Sequence, residues 1–270
     1  MQAESYAKNT FDEVATHYDE IPFFKISAQY LTQIVKREKE GVIDVLDVAC
    51  GTGNVTLECA KEMPESSFEG FDISEGMLTK ARANVKALSL SNVDFHLQDI
   101  TKLQSLKKYD VITCAYALFF LPNPQNVLST LLASLKPEGR VIFTSFLPKA
   151  FMPSVKILLP LLIAKGSAAA KAYDVDKWEN LKHIDDIDHL CQLAGSKNYN
   201  IVSKVIRYDM DVDAWWELMN NTGFKGMLME LDDEGFDLVK KAYYEAMVTY
   251  ADVYGDVELN ADSYFVTVKA

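Results

Sequence analysis

Apolar positions along this chain fall into two alternating periods. From Val42 to Val48 only Asp44 and Asp47 interrupt an apolar run, the pattern of a short parallel strand buried in a sheet. Val55 to Met63 then repeats at helical spacing. The same switch recurs in FEGFDIS, a strand, followed by SEGMLTKARANVKAL, a helix with Ser74 as its N-cap. VDFHLQD reads as a third strand, with Val93, Phe95 and Leu97 on one side and His96 pointing the other way. YDVITCAYALFFLP supplies a fourth strand and its exit loop. NVLSTLLASLKPEGRVIFTSF supplies a helix, a Pro-Glu-Gly turn and a fifth strand. Strands alternating with helices predict an α/β fold with a mostly parallel sheet. Ahead of it, roughly Ser5 to Lys39 predicts two helices parted at Pro22, with Phe11, Val14, Ala15 and Tyr18 on one face.

Beyond Phe146 the alternation loosens. The stretch 147–184 is apolar, then Ala-rich, then carries Trp178, and reads as a helical cap. Residues 185–210 return to the core with the helix IDDIDHLCQLAG and a strand at about Tyr199 to Tyr208. A second helical insertion follows over 211–258, and 259–270 close the chain with a last core strand. In the insertion, Trp215, Trp216, Met219, Phe224, Met227 and Met229 suit either an apolar pocket or the buried seam of the helices. Helical amphipathicity favours the seam.

The chemistry gathers where the first strand ends, in VLDVACGTGN from Val45 to Asn54. Gly51 and Gly53 let the backbone turn sharply into a helix whose N–H groups are exposed, a device for cradling a nucleotide. A dinucleotide fingerprint asks for a third glycine where Thr56 stands. Asp72, about 20 residues on, ends the second strand, where a carboxylate accepts hydrogen bonds from ribose hydroxyls. The residues alone thus give an adenosine-bearing ligand on an α/β sheet.

The series VLDVACGTG, FDIS with GML behind it, FHLQDI, YDVITCAYALFFLPN and LLASLKPEGRVIFTSF, in that order over roughly Phe11 to Phe146, resembles the class I S-adenosylmethionine-dependent methyltransferases. It is similar to their ubiquinone/menaquinone biosynthesis and small-molecule branch. The resemblance implies a Rossmann-like seven-stranded sheet, mostly parallel, with an antiparallel edge hairpin. It implies S-adenosyl-L-methionine as cofactor, contacted by Asp47, Ala49, Gly51 and Gly53 around the first turn and by Asp72, Ile73 and Met77 at the second. Asp99 and Ile100 take the adenine position, while Ala115, Tyr116 and Leu121 lie towards the reactive sulfonium. Phe119 and Phe120 shape the acceptor side. Ala49 departs from the commonest family pattern, which has a glycine there. In the family the segment before strand one lies over cofactor and acceptor, which makes His17 and Tyr18 site candidates beside Tyr116. No catalytic base is assigned, since the cofactor carries its own leaving group and positioning supplies most of the acceleration. A nicotinamide oxidoreductase is disfavoured by Thr56 and by Asp99. A non-catalytic binding protein shares the same residues, and a protein methyltransferase would want a more open acceptor groove.

Composition narrows the partners. The 270 residues are 49% hydrophobic, enough for a sizeable core. A net charge of −12 with no basic cluster opposes nucleic-acid binding. The Asn/Asp-Pro-Pro-aromatic tetrad of the family's base methyltransferases is missing: Asn123 to Gln125 comes too late and lacks the aromatic. Cys50, Cys59, Cys114 and Cys191 show no metal or CxxC spacing and fit a reducing compartment. The polar, acidic N-terminus is no signal peptide, and the most apolar stretch, around Pro153, Lys156 and Pro160, is too short to span a bilayer. The expectation is a cytoplasmic protein with a small-molecule acceptor, no metal and no membrane span.

Overall fold

A computed structural model describes residues 2–103, 108–174 and 177–269. Helices α1 (Gln2–Val14) and α2 (Pro22–Glu38) come first, with a 3-10 turn at Tyr18–Glu20 between them. The alternating region follows as β1 (Asp44–Val48), α3 (Asn54–Glu62), β2 (Ser67–Asp72), α4 (Glu75–Leu88), β3 (Val93–Leu97), β4 (Tyr109–Cys114), α5 (Pro124–Ala133) and β5 (Leu135–Phe146). Then come α6 (Ser154–Ala164), α7 (Ala168–Ala172), α8 (Ile184–Leu193), β6 (Tyr199–Lys204), β7 (Arg207–Asp211), α9 (Val212–Asn220), α10 (Lys225–Leu228), α11 (Asp233–Met247), β8 (Asp256–Asn260) and β9 (Ser263–Lys269).

Seven strands form one sheet in the order β3-β2-β1-β4-β5-β9-β6. The first five are parallel, and β9 runs antiparallel between β5 and β6. The two-residue period of a strand explains how both faces are covered. Val45, Val111 and Ile142 pack with Leu31 and Val35 of α2 and Cys59 of α3. Their neighbours Leu46, Ile112 and Val141 pack on the opposite face with Leu128 of α5 and Leu190 of α8. Strand order reverses between β1 and β4, which opens a crevice at their C-terminal ends.

Three details differ from the sequence reading. The strand expected through Tyr208 stops at Lys204, and β7 leaves the main sheet to pair with β8 in a separate two-stranded ribbon. Residue 259 accordingly belongs to that ribbon, and the last core strand starts at Ser263. The Pro-Glu-Gly turn lies inside β5 as an irregularity of register between Tyr109 and Val111, with Glu138 at φ 59°. Leu97, expected on the apolar side with Val93 and Phe95, is 55% exposed at the end of β3, an edge strand of the sheet.

The helices beyond β5 form a core of their own. Trp215, Trp216 and Met219 of α9 are buried with Leu158 of α6 and Tyr243 of α11, and Trp215 Nε1 donates to the Val257 carbonyl at 3.0 Å. Met227 joins them, Phe224 is half-buried, and Met229 is exposed. Burying two tryptophans fully removes enough apolar area to hold these short helices together. Among the described residues no helix is long and apolar enough to cross a membrane, and no group of His, Cys, Asp and Glu is placed to hold a metal.

Candidate functional site

Between β1 and α3 the chain turns through three left-handed residues, Ala49 (φ 52°), Gly51 (φ 56°) and Gly53 (φ 87°). Glycine adopts such angles freely, and a Cβ on Gly53 would stand 2.8 Å from the Phe95 ring. Alanine pays a steric cost there, about 1–2 kcal/mol. The turn brings the backbone across the ends of β1 and β4, where a cavity of about 50 Å³ opens. Asp47, Ala49, Gly51, Ala115 and Tyr116 line it, with Tyr18 from the segment ahead of α2. Sequence reasoning missed Phe24, Ser27, Cys50, Asn54 and Val55 on the same wall. Cys50, Asn54 and Val55 sit within or beside the glycine turn. Phe24 and Ser27 belong to a helix whose approach no local pattern announces.

Asp47 is 2% exposed. Thr56 donates to its Oδ2 at 2.6 Å and Thr113 to its Oδ1 at 2.8 Å. Burial raises its pKa and the two threonines oppose that rise, for a net value of about 6. Asp72, buried at the end of β2, accepts from the Gly51 N–H at 2.8 Å and from the Ser74 N–H at 2.9 Å. Burial raises its pKa too, against those backbone donors. Asp72 thereby ties the glycine turn to the start of α4, where the Ser74 hydroxyl accepts from the Met77 N–H at 3.0 Å.

Helix α1 and the segment between it and α2 lie along the site as a strap. Asp12 Oδ1 accepts from the Ser74 hydroxyl at 2.6 Å and from the Gly76 N–H at 3.0 Å, at the N-terminus of α4. Asp19 Oδ1 accepts from the Thr52 hydroxyl and the Asn54 amide, and its Oδ2 from the Asn84 amide at 2.9 Å. Two glycines let α1 sit this low. A Cβ on Gly76 would stand 3.0 Å from the Asp12 carbonyl, and one on Gly226 of α10 would stand 2.4 Å from Thr10 Oγ1. Met77 is buried under the strap with Val14 and Ala15.

The remaining candidates differ in where they lie. His17 is exposed and its Nδ1 lies 3.2 Å from Glu20 Oε1, away from the cleft wall. Asp99 caps the short turn Ile100–Lys102: its Oδ1 accepts from the Thr101 N–H and hydroxyl, and Lys102 Nζ lies 3.0 Å from Oδ2. Ile100 is buried beside Phe71, and Leu121 packs on the same core, while Ile73 is half-buried next to Asp72. Tyr18 stacks on Phe24 with ring centres 4.3 Å apart. Its phenol is pushed up by burial and then by Asp72. Burial also pushes Tyr116 up, to about 12, so neither phenol is an effective proton acceptor at neutral pH.

Residues 39–205 match the sequence profile of the family described as "Methyltransferase domain". A demethylmenaquinone methyltransferase of Symbiobacterium thermophilum is 30% identical over 226 residues, covering 72% of this chain and 86% of that relative. A malonyl-[acyl-carrier protein] O-methyltransferase of Halalkalibacterium halodurans is 35% identical over 132 residues, 46% of this chain and about half of the relative (48%). Among solved structures, the YcgJ protein of Bacillus subtilis has the same fold, with a TM-score of 0.58 at 16% identity over 90% of this chain and 98% of that one.

Proposed function

Because this chain belongs to the methyltransferase-domain family, the class I S-adenosylmethionine-dependent enzymes acting on small molecules, we propose that its cleft holds S-adenosylmethionine and directs the methyl group to a small-molecule acceptor. The observation that carries the assignment of the cleft is Asp47. A carboxylate 2% exposed, lining a cavity and held by two hydroxyls, suits an ammonium group such as that of a bound amino acid. Asp72 fits the other end of the cofactor. Its oxygens accept from the Gly51 and Ser74 N–H groups and keep acceptor capacity for a ribose hydroxyl. Ile73 supplies apolar contact for the adenosine and Ile100 a wall for its base, while Met77, buried under Val14 and Ala15, backs the start of α4. Asp99, drawn into its own turn, reaches the adenine amine with the acceptor capacity left on its oxygens.

When bound, S-adenosylmethionine supplies an electrophilic methyl that passes to the acceptor's lone pair as the C–S bond breaks onto sulfur, leaving S-adenosylhomocysteine. The chain's own task is alignment and exclusion of water. Ala115 and Tyr116 shape the site at the end of β4, the strap covers it, and Phe119 and Phe120, which follow β4, shape the acceptor side. No base is assigned among these candidates: His17 is exposed outside the cleft wall, and the two phenols hold their own protons. The net charge of −12 opposes nucleic acid as acceptor. Free, buried cysteines suit the reducing cytoplasm.

Calorimetric titration with S-adenosylmethionine, S-adenosylhomocysteine and NAD, on the wild type and Asp72→Ala, tests the assignment. Binding of both sulfur compounds but not NAD, weakened by about 1.5–3 kcal/mol in the variant, is expected. Binding of NAD, or an unaffected variant, overturns it.

A further inference from the structure

Tyr116 is held on every side. Its backbone is left-handed at φ 54°, and its N–H donates to Thr144 Oγ1 at 2.9 Å. Its phenol donates to Ser27 Oγ on α2 at 2.9 Å and lies 2.9 Å from Ser263 Oγ on β9. Both serines are buried, and Ser263 is anchored in turn on the Ala261 carbonyl at 2.8 Å. One ring face is taken by Phe146, stacked at 4.4 Å with 14° between planes. The edge-to-face contacts with Phe23 (5.9 Å, 87°) and Phe24 (6.1 Å, 67°) complete the seat. Tyr116 lines the cleft together with Ala115 and Asp47.

A tyrosine in a left-handed conformation with both hydroxyl contacts inside the protein is a costly arrangement for plain packing. Leucine would fill the space without needing two buried serines. The arrangement does one thing a loosely held side chain cannot: it fixes the plane of an electron-rich ring relative to the end of β4. We propose that Ser27 and Ser263 are positioning residues that orient the Tyr116 ring against the sulfonium, so that the cleft distinguishes the cationic methyl donor from its neutral thioether product. This rests on the cofactor reading of the cleft given above. A ring face attracts a cation within about 6 Å and has no such hold on a neutral sulfur. The same clamp therefore favours retention of donor and release of product. It also joins α2 and β9, elements far apart in sequence, to the reacting centre.

The test uses the full chain and two probes, S-adenosylmethionine and S-adenosylhomocysteine, titrated calorimetrically into the wild type, Ser27→Ala/Ser263→Ala, Tyr116→Phe and Tyr116→Leu. The ratio of the two dissociation constants is the readout, because a purely structural role weakens both ligands alike. The double serine variant and Tyr116→Leu should weaken the sulfonium compound about 3–10-fold more than the thioether. Tyr116→Phe, which frees the ring but keeps its volume, should move the ratio in the same direction. It also decides the matter should the double variant fail to fold. A ratio unchanged in the folded double serine variant, or unchanged in both Tyr116→Phe and Tyr116→Leu, overturns the proposal. If neither compound binds the wild type, the cofactor reading fails instead.

Discussion

The Thr56 hydroxyl donates to Asp47 Oδ2 across 2.6 Å. Thr56 occupies the place where a dinucleotide-binding loop has its third glycine, so the residue that spoils one fingerprint supports the buried acid of another. The pair has a measurable signature in pH. With a folded pKa of about 6 against the ordinary 3.8, Asp47 holds its proton more tightly in the folded protein than in the unfolded chain. Its contribution favours folding below the ordinary carboxylate range and is lost as pH rises to about 6. The total loss is on the order of 3 kcal/mol. Urea unfolding of wild type and Asp47→Asn between pH 4 and 7 checks this. The other carboxylates are common to both proteins, so the difference between them should fall steadily as pH drops; parallel curves would refute it.

Ala49 sits at φ 52°, where glycine is at ease. Ala49→Gly should relieve about 1–2 kcal/mol of steric cost, offset by the entropy glycine loses on folding, about 0.4–1 kcal/mol. A net stabilisation of roughly 0.5–1 kcal/mol in urea is expected. A destabilised variant would mean that the loop needs the Ala49 methyl for packing.

Asp19 gathers Thr52, Asn54 and Asn84 onto the strap. Hydrogen bonds to a charged group contribute about 1.5–3 kcal/mol each, so Asp19→Ala should open the strap without unfolding the sheet. Hydrogen exchange at residues 2–21 should quicken by about tenfold or more, with exchange in β1 and β4 unchanged. Uniform acceleration would show the strap to be part of the global fold.

Ser74 serves two helices at once, capping α4 and donating to Asp12. Ser74→Ala should cost about 1–2 kcal/mol in urea unfolding and weaken the strap as Asp19→Ala does. A cap lost alone would leave exchange in α1 untouched.

The sheet was legible because each strand and helix announces itself by its own period. Asp47, Gly51, Ala115 and Tyr116 were legible because they fall at strand ends, the part of this fold where ligands bind. The anchors of the strap and of the Tyr116 ring were not. Asn84 holds the strap from a helix whose pattern speaks only of its buried side, and Ser263, which lies against Tyr116, follows a ribbon that splits from the sheet at Val205 and Ile206. Such residues acquire meaning only from what the fold brings opposite them. Asp99 shows the converse: its position suggested a ligand, while a local turn claims most of its hydrogen-bonding capacity.

The two notches at Gly76 and Gly226 set limits on recombination with relatives. Helix α1 rests on α4 through one and on α10 through the other, so its height is fixed by both halves of the molecule. A chimera that imports a foreign cap with a bulkier residue at the second notch would tilt α1 and lift Asp12 from the start of α4. Exchange of the cap alone should then give folded but leaky enzymes, and α1 has to travel with the cap it was shaped to meet.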